Sequence, residues 1–282
     1  MTEKFLAAAI QLNSGEDKPR NLADAGRLIA AAAGAGAKLV ALPEMFNCWG
    51  RFETLVAQAE PIPGPTSDAA GRWAKEFGVT LVAGSIAERA EGQNLAHNTS
   101  LLFGPDGMLL ARYRKQHLFD VNLPGKLETR ESRWIVPGED DVTTATALGR
   151  IGQAICYDLR FPELFRRLAA RDAEIFVIPS AFSRPTGAAH WDVLLRARAI
   201  ENQAFVIAPN QCSAEAGALP TYGHSQIIDP WGVVLASAGN EGEAVALAEV
   251  DLARLREIRA QLPSLWQRRP APAQRQNEIK SP

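Results

Sequence analysis

Strand-like and helix-like segments alternate near the start of this chain and again from residue 151, and this repeated alternation limits the possible folds. Short apolar runs predict strands at residues 5–12 and 39–42, and amphipathic runs predict helices at 21–33 and 68–77. The same order returns with strands at 151–156, 175–179 and 205–210 and helices at 162–170 and 190–202. Strands that alternate with helices predict parallel strands covered by those helices.

Antiparallel hairpins interrupt this alternation in both halves of the chain. Strands are predicted at 80–87, 97–103 and 108–114, and later at 224–229, 233–237 and 244–250, before a last helix at 252–262. Because the halves share one plan, the sequence predicts an α/β fold in which two mixed sheets pack face to face with helices outside. No segment rich in Pro, Gly or Ser divides the chain. We therefore expect a single domain at residues 1–267 and a polar tail at 268–282.

Charge and cysteine content exclude several classes of function. The 30 basic and 32 acidic residues give a net charge of -2 without a basic block, so no nucleic-acid or membrane partner is expected. No apolar stretch approaches the roughly 20 residues that span a bilayer. Three widely spaced cysteines and no recognisable signal peptide favour a cytoplasmic protein without disulfides. A small-molecule substrate is the expected partner.

Cys156 follows the apolar run Ile151-Gly152-Gln153-Ala154-Ile155 and opens a polar segment. This pattern predicts a strand that leads into a sharp turn before a helix. A thiol in such a turn can face a cavity, close to backbone N–H groups able to bind an oxyanion. A buried structural cysteine is the commoner alternative.

Two other reactive side chains follow predicted strands. Glu44 comes after Leu39-Val40-Ala41-Leu42-Pro43, and Lys115 immediately follows the strand predicted at 108–114. Taken singly, Glu44 could be a helix N-terminal acid, Lys115 a solvated member of a basic cluster, and Glu131 one of several loop acids. Because ligands collect at the carboxyl ends of strands in α/β sheets, a carboxylate, an ammonium and a thiol there indicate a catalytic site.

Three segments carry a resemblance to a known family: Leu42-Pro43-Glu44, residues 113–120 and residues 156–164. They resemble, in order, the three signatures of the nitrilase, or carbon-nitrogen hydrolase, superfamily. The resemblance covers roughly residues 4 to 270 and implies an αββα sandwich with a Glu-Lys-Cys triad at Glu44, Lys115 and Cys156. It also implies a second functional glutamate, matched by Glu131, with Glu128 as the nearby competitor.

The expected chemistry is nucleophilic and needs no cofactor. A free thiol has a pKa of about 8.5, so a neighbouring cation or base is needed to supply thiolate at neutral pH. Glu44 is expected to accept the thiol proton, and Lys115 with the backbone N–H of Tyr157 to hold the oxyanion. Glu131 is expected to orient Lys115 and the substrate nitrogen. The four histidines lie far apart in sequence, and no metal site is predicted.

The residues after the cysteine bear on the substrate. Tyr157-Asp158 resembles the amidase and carbamoylase branches, whereas true nitrilases usually have Trp-Glu there. Further segments, such as residues 179–182 and 222–225, resemble most the deaminated glutathione amidase branch, and residues 123–126 resemble the ω-amidase branch. The resemblance thus implies hydrolysis of a linear amide of a small oxo-acid. The alternatives are an N-carbamoyl amino acid amidohydrolase and, without catalysis, a redox thiol protein or an inactive scaffold.

An anionic oxo-acid needs a cation and hydroxyl groups, for which Arg160, Phe182 and Thr186 are the candidates, beside Tyr157. Arg160 could equally pair with Asp158 or Glu163. The sequence departs from the usual relatives at residues 47–50, near the expected pocket, and at Gln153, where an apolar residue is commoner. A helical stripe at residues 191, 194, 195 and 198 favours a core face, while the resemblance implies that this region packs a homodimer.

Overall fold

The computed structural model describes residues 3–125, 127–212, 220–240 and 242–269. The helices are α1 (Lys18–Gly34), α2 (Phe52–Ala57), α3 (Pro65–Phe77), α4 (Pro162–Ala170), α5 (Arg184–Asn202) and α6 (Leu252–Gln261). The strands are β1 (Lys4–Gln11), β2 (Ala37–Ala41), β3 (Thr80–Val82), β4 (Ile86–Arg89), β5 (Ala96–Phe103), β6 (Leu109–Arg114), β7 (Asp120–Leu123), β8 (Leu127–Arg130), β9 (Thr143–Thr146), β10 (Gly149–Gln153), β11 (Ile175–Val177), β12 (Phe205–Ala208), β13 (Gln226–Ile228), β14 (Val234–Ser237) and β15 (Ala244–Asp251). The predicted tail lies outside the described residues from residue 270 onward.

Two mixed sheets form the centre of the molecule. The first has the order β15-β1-β2-β3-β5-β4, with β6 paired to β5, and its β1, β2 and β3 are parallel. The second has the order β14-β13-β12-β11-β10-β9, with β10, β11 and β12 parallel. Strands β7 and β8 form a separate hairpin. Each sheet thus has a parallel centre and antiparallel edges, as the alternation and the hairpins in the sequence predict.

Three parts of the hydrophobic core lie against the two sheets, because successive strand side chains point to opposite faces of a sheet. Residues such as Leu39 and Ile207 fill the space between the two sheets. Val40 faces the helix side of the first sheet, where α1 and α3 pack, and Val206 faces the helix side of the second sheet, where α4 and α5 pack. The layers are therefore helix, sheet, sheet, helix, and the predicted αββα sandwich is confirmed.

Gln153, the departure noted in sequence, lies fully buried at the end of β10. Its side-chain Nε2 donates a hydrogen bond of 3.1 Å to the hydroxyl of Ser100 on β5. Because β5 belongs to the first sheet and β10 to the second, this bond links the two sheets across the core.

The strand predicted at 80–87 is wrong in one respect, because Gly84 divides it into β3 and β4. Gly84 has φ +49, and a Cβ there would lie 2.0 Å from the carbonyl oxygen of Pro43. Only glycine allows this approach without strain. The close contact holds the chain beside Pro43, next to Glu44.

The helix predicted at 190–202 begins earlier, at Arg184, and α2 and the β7–β8 hairpin were not predicted.

Candidate active site

Cys156 lies where the second sheet delivers the chain into a sharp turn. Strand β10 ends at Gln153, and Cys156 begins a short 3₁₀ helix, Cys156–Arg160, with φ 46, in the left-handed region. Its N–H donates a hydrogen bond of 2.9 Å to the carbonyl oxygen of Pro179, which follows the neighbouring strand β11. The thiol faces a cavity of about 320 Å³. The predicted turn is therefore present, with a strained backbone at the cysteine itself.

The side chain of Asp158 is fully buried and holds this turn in place through hydrogen bonds. Its carboxylate accepts hydrogen bonds from Tyr113 Oη at 2.6 Å, Ile155 N at 2.9 Å, His117 N at 3.0 Å and His117 Nδ1 at 2.7 Å. Tyr113 and His117 lie on either side of Lys115 in sequence. One buried carboxylate thus ties the cysteine turn to the segment that carries the lysine.

Glu44 lies at the carboxyl end of β2, with its carboxylate held by three donors. Oε1 accepts bonds from Asn98 Nδ2 at 2.7 Å and from Lys115 Nζ at 3.1 Å, and Oε2 accepts one from Ala181 N at 2.8 Å. Glu44 is 3% exposed, so these contacts replace water. Ala181 follows β11 of the second sheet, and this bond therefore brings Glu44 of the first sheet to the edge where Cys156 lies.

Lys115 follows β6, and its ammonium lies between two carboxylates. Nζ is 3.0 Å and 2.9 Å from the two oxygens of Glu131, in addition to its contact with Glu44. Glu131 also accepts a hydrogen bond of 2.6 Å from Phe119 N. Glu128 is exposed at the rim of the cavity. The structure therefore brings Glu131, and not its competitor Glu128, into contact with Lys115.

Burial and charge set the protonation of this cluster. Burial by itself lowers the pKa of Lys115, but the charges of Glu131 and Glu44 outweigh it and raise that pKa well above its ordinary value. Burial raises the pKa of Glu131, although Lys115 opposes the shift. Burial, and then the charge of Glu44, raise the pKa of the Cys156 thiol well above its ordinary value. Both effects favour a protonated Cys156 thiol, so the expected role of Glu44 is to accept the thiol proton during the reaction.

The expected substrate-binding residues line the same cavity: Tyr157, Arg160, Phe182 and Thr186. The Arg160 guanidinium lies 5.6 Å from the Tyr157 ring centre and 5.1 Å from that of Phe182, and it contacts His190 Nδ1 at 3.1 Å. Neither Asp158 nor Glu163 pairs with it in the described residues, so the structural alternative for Arg160 is not observed. The Thr186 hydroxyl lies 2.8 Å from that of Ser183 in the first turn of α5.

The other residues that the sequence analysis singled out are mostly buried and do not line the cavity. Trp191, Leu195 and Arg198 are buried in the core beneath α5, and Leu194 packs against them, as the core interpretation of that stripe predicts. All three cysteines are free thiols, and burial raises the pKa of Cys48 and of Cys212 to about 11. Within the described residues no three His, Cys, Asp or Glu side chains gather as a metal site, and no helix is long and apolar enough to cross a membrane.

Sequence reasoning missed three groups that position the cluster: Asp158, Asn98 and the N–H of Ala181. Asp158 was considered as a marker of the amidase and carbamoylase branches and as a partner of Arg160, but not as a group that positions the turn. Its place two residues after the cysteine, in the turn, was the available signal, because Asp side chains commonly bond backbone N–H groups in turns. Asn98 and Ala181 carried no local signal, since their contacts with Glu44 join distant segments.

A thiol, a carboxylate and an ammonium at strand ends of a four-layer sandwich are typical of one class of hydrolases. The model of the carbon-nitrogen hydrolase family matches residues 6–260, and the chain belongs to this family. It is an amidase, a hydrolase of carbon–nitrogen bonds other than peptide bonds.

Individual relatives cover nearly the whole chain. Omega-amidase NIT2 of Homo sapiens is 42% identical over 265 residues, 94% of this chain and 95% of the relative. Deaminated glutathione amidase of Synechocystis is 43% identical over 267 residues, 94% of this chain and 98% of the relative. The crystal structure of Saccharomyces cerevisiae Nit3, a member of branch 10 of the nitrilase superfamily, matches with a TM-score of 0.83 at 35% identity over 93% of this chain and 96% of that chain.

Proposed function

We propose that this amidase works through a thioester on Cys156 and hydrolyses a linear amide of a small oxo-acid. One observation carries the proposal: Cys156 and Glu44 line the same cavity, with Lys115 between the carboxylates of Glu44 and Glu131. A neutral thiol beside a carboxylate is arranged for attack with simultaneous proton transfer.

In the first half of the reaction, Glu44 accepts the thiol proton while Cys156 Sγ bonds to the amide carbon. The oxyanion that forms is held by Lys115 and by the N–H of Tyr157, in the first turn of the 3₁₀ helix, where N–H groups have no intrahelical partner. Each such donor contributes about 2.7 to 4 kcal/mol. Collapse breaks the carbon–nitrogen bond, and Glu44 passes its proton to the leaving amine.

In the second half, Glu44 takes a proton from water as the water oxygen attacks the thioester carbon. The carbon–sulfur bond then breaks, the acid product forms, and the sulfur regains a proton from Glu44. Glu131 keeps Lys115 charged and oriented throughout, because its two oxygens lie within 3.0 Å of Nζ. No step requires a cofactor.

We propose deaminated glutathione as the substrate, with cysteinylglycine as the leaving group. The alternative is the ω-amidase reaction, in which 2-oxoglutaramate releases ammonia. The Arg160 guanidinium over two aromatic rings supports an oxo-acid carboxylate in either case. The relatives bearing these two activities in their names are 43% and 42% identical to the chain, so identity alone does not separate the alternatives.

The test compares kcat/KM for deaminated glutathione, 2-oxoglutaramate and an N-carbamoyl amino acid. Deaminated glutathione is expected to be preferred, and Cys156→Ala is expected to abolish turnover and the acyl-enzyme in intact-mass spectra. A preference for the carbamoyl substrate by more than about tenfold, or 1.4 kcal/mol, would contradict the proposed substrate. Turnover that survives in Cys156→Ala would contradict the mechanism.

We further propose that the enzyme is a homodimer in the cytoplasm. Exposed apolar side chains on α5 and at the β13–β14 turn support the dimer: Val193 is 63% exposed, Ile200 49% and Trp231 56%. Three free thiols support a reducing compartment. Sedimentation velocity would report the oligomer, and cell fractionation would report the compartment; a monomer or a secreted enzyme would contradict these proposals.

A further inference from the structure

Arg51 is a cation at the mouth of the candidate active site. It immediately precedes α2, its side chain is exposed, and it lines the same cavity as Cys156 and Glu44. It forms no ion pair with any residue that the structure describes. Its neighbours along this wall are the largely apolar side chains of Trp49 and Phe52. An unpaired guanidinium beside an apolar pocket is positioned to bind a substrate anion.

Two walls of the cavity come from two different parts of the chain. The segment that follows Glu44 supplies one wall, from Met45 to Leu55, and includes Arg51. The turn that follows Cys156 supplies the other wall, with Arg160 lying over Phe182. Each wall therefore starts from one of the two groups that handle the reacting amide.

The chemistry assigns a different part of the substrate to each wall. In the proposed mechanism the acyl carbon becomes bonded to Cys156 Sγ, and the acyl group is assigned to the wall of Arg160. The leaving nitrogen takes its proton from Glu44, and the amine is assigned to the wall of Arg51. Arg160 and Arg51 are thus placed to meet opposite ends of one substrate.

We propose that Arg51 determines specificity by binding a carboxylate on the leaving amine. The assignment rests on the proposed amidase function of this site and sharpens it: the preferred amides are those whose nitrogen carries an anionic, peptide-sized group. A dipeptide spans about 7 Å, so its terminal carboxylate lies well away from the nitrogen that Glu44 protonates. Glu128 also lies at the rim, and it disfavours any anion that Arg51 does not bind.

The test uses three amides of 2-oxoglutarate that share the acyl group: deaminated glutathione, the same compound with its terminal carboxylate converted to a carboxamide, and unsubstituted 2-oxoglutaramate. In Arg51→Gln, kcat/KM for deaminated glutathione is expected to fall about tenfold to hundredfold, through KM, because a hydrogen bond to a charged group is lost. The values for the other two amides are expected to stay within about twofold, since neither of them carries a carboxylate that Arg51 could bind.

Two further variants separate a local contact from general charge. Arg130→Gln removes an exposed arginine that does not line the cavity, and it is expected to leave all three values unchanged. Arg51→Lys is expected to recover part of the loss, since it restores the charge without the planar fork.

Three outcomes would overturn the assignment. An equal loss on the carboxamide substrate would show that Arg51 supports the wall and does not bind a carboxylate. An unchanged KM for deaminated glutathione in Arg51→Gln would show that the carboxylate binds elsewhere. If the wild-type enzyme turned over none of the three amides, the proposed function itself would fail, which is a different result from turnover without discrimination.

Discussion

At Cys156, burial and the charge of Glu44 act on the thiol in the same direction, and both keep it protonated. Lys115 opposes them, but it also balances the charges of Glu44 and Glu131. In the proposed mechanism, the thiolate is therefore formed only as the bond to carbon forms. This arrangement protects a reactive sulfur from oxidation and alkylation, because thiolates and not thiols react in those ways.

We predict that alkylation of Cys156 by iodoacetamide accelerates with pH and still rises above the ordinary pKa of a free thiol, because burial and Glu44 raise the pKa of this thiol. Peptide mapping by mass spectrometry would follow this residue separately from Cys48 and Cys212, whose pKa is about 11. A rate that levels off near neutral pH would mean that a thiolate is present at rest, and the mechanism would need revision.

At the scale of elements, the active site is assembled from strand ends and not from one continuous motif. Glu44 follows β2 of the first sheet and Cys156 follows β10 of the second, while the Ala181 N–H, after β11, bonds Glu44. Asp158 joins the cysteine turn to the segment around Lys115 through three hydrogen bonds, and a fourth, from Ile155 N, holds the turn itself. The position of the thiol relative to the ammonium therefore depends on this one carboxylate.

Replacing Asp158 by Asn is expected to lower kcat by about tenfold to hundredfold with a smaller change in KM. The amide keeps one acceptor oxygen but places an NH₂ group against buried donors, and an unsatisfied donor costs about 1–3 kcal/mol. Glu163→Gln, which changes an exposed acid at the start of α4, is the matched control and is expected to have no effect. Equal losses in kcat for these two variants, or a loss confined to KM, would argue against a positioning role.

For the whole molecule, the layer between the two sheets supplies the common core. Ile207, on the central strand β12, is fully buried there. Ile207→Ala is expected to lower the free energy of unfolding by about 2–5 kcal/mol, since the cavity it leaves cannot be filled by the sheets on either side. Leu109→Ala removes a side chain that is 43% exposed and should cost much less. Urea denaturation would measure both; similar losses would mean that the inter-sheet layer does not dominate stability.

The sequence could predict the four layers and the positions of Glu44, Lys115 and Cys156, because each follows an apolar run whose period reveals a strand. It could not predict the role of Asp158, since three of its four bonds reach residues more than 40 positions away. The sequence also could not predict the raised pKa of the Cys156 thiol, because the burial that raises it depends on the whole fold. The helix α2, of six residues, and the strands β7 and β8, of four residues each, are too short for their pattern to stand out, and for that reason they were missed.

The division of the reacting groups between two sheets means that the active site exists only in the folded chain. Glu44 and Cys156 are more than a hundred residues apart, and only the packing of one sheet on the other brings them into contact. A newly synthesised or partly unfolded chain therefore holds Cys156 apart from Glu44 and lacks the arrangement for amide hydrolysis. Hydrolytic activity is thus expected only in the folded enzyme, in which the two sheets are packed together.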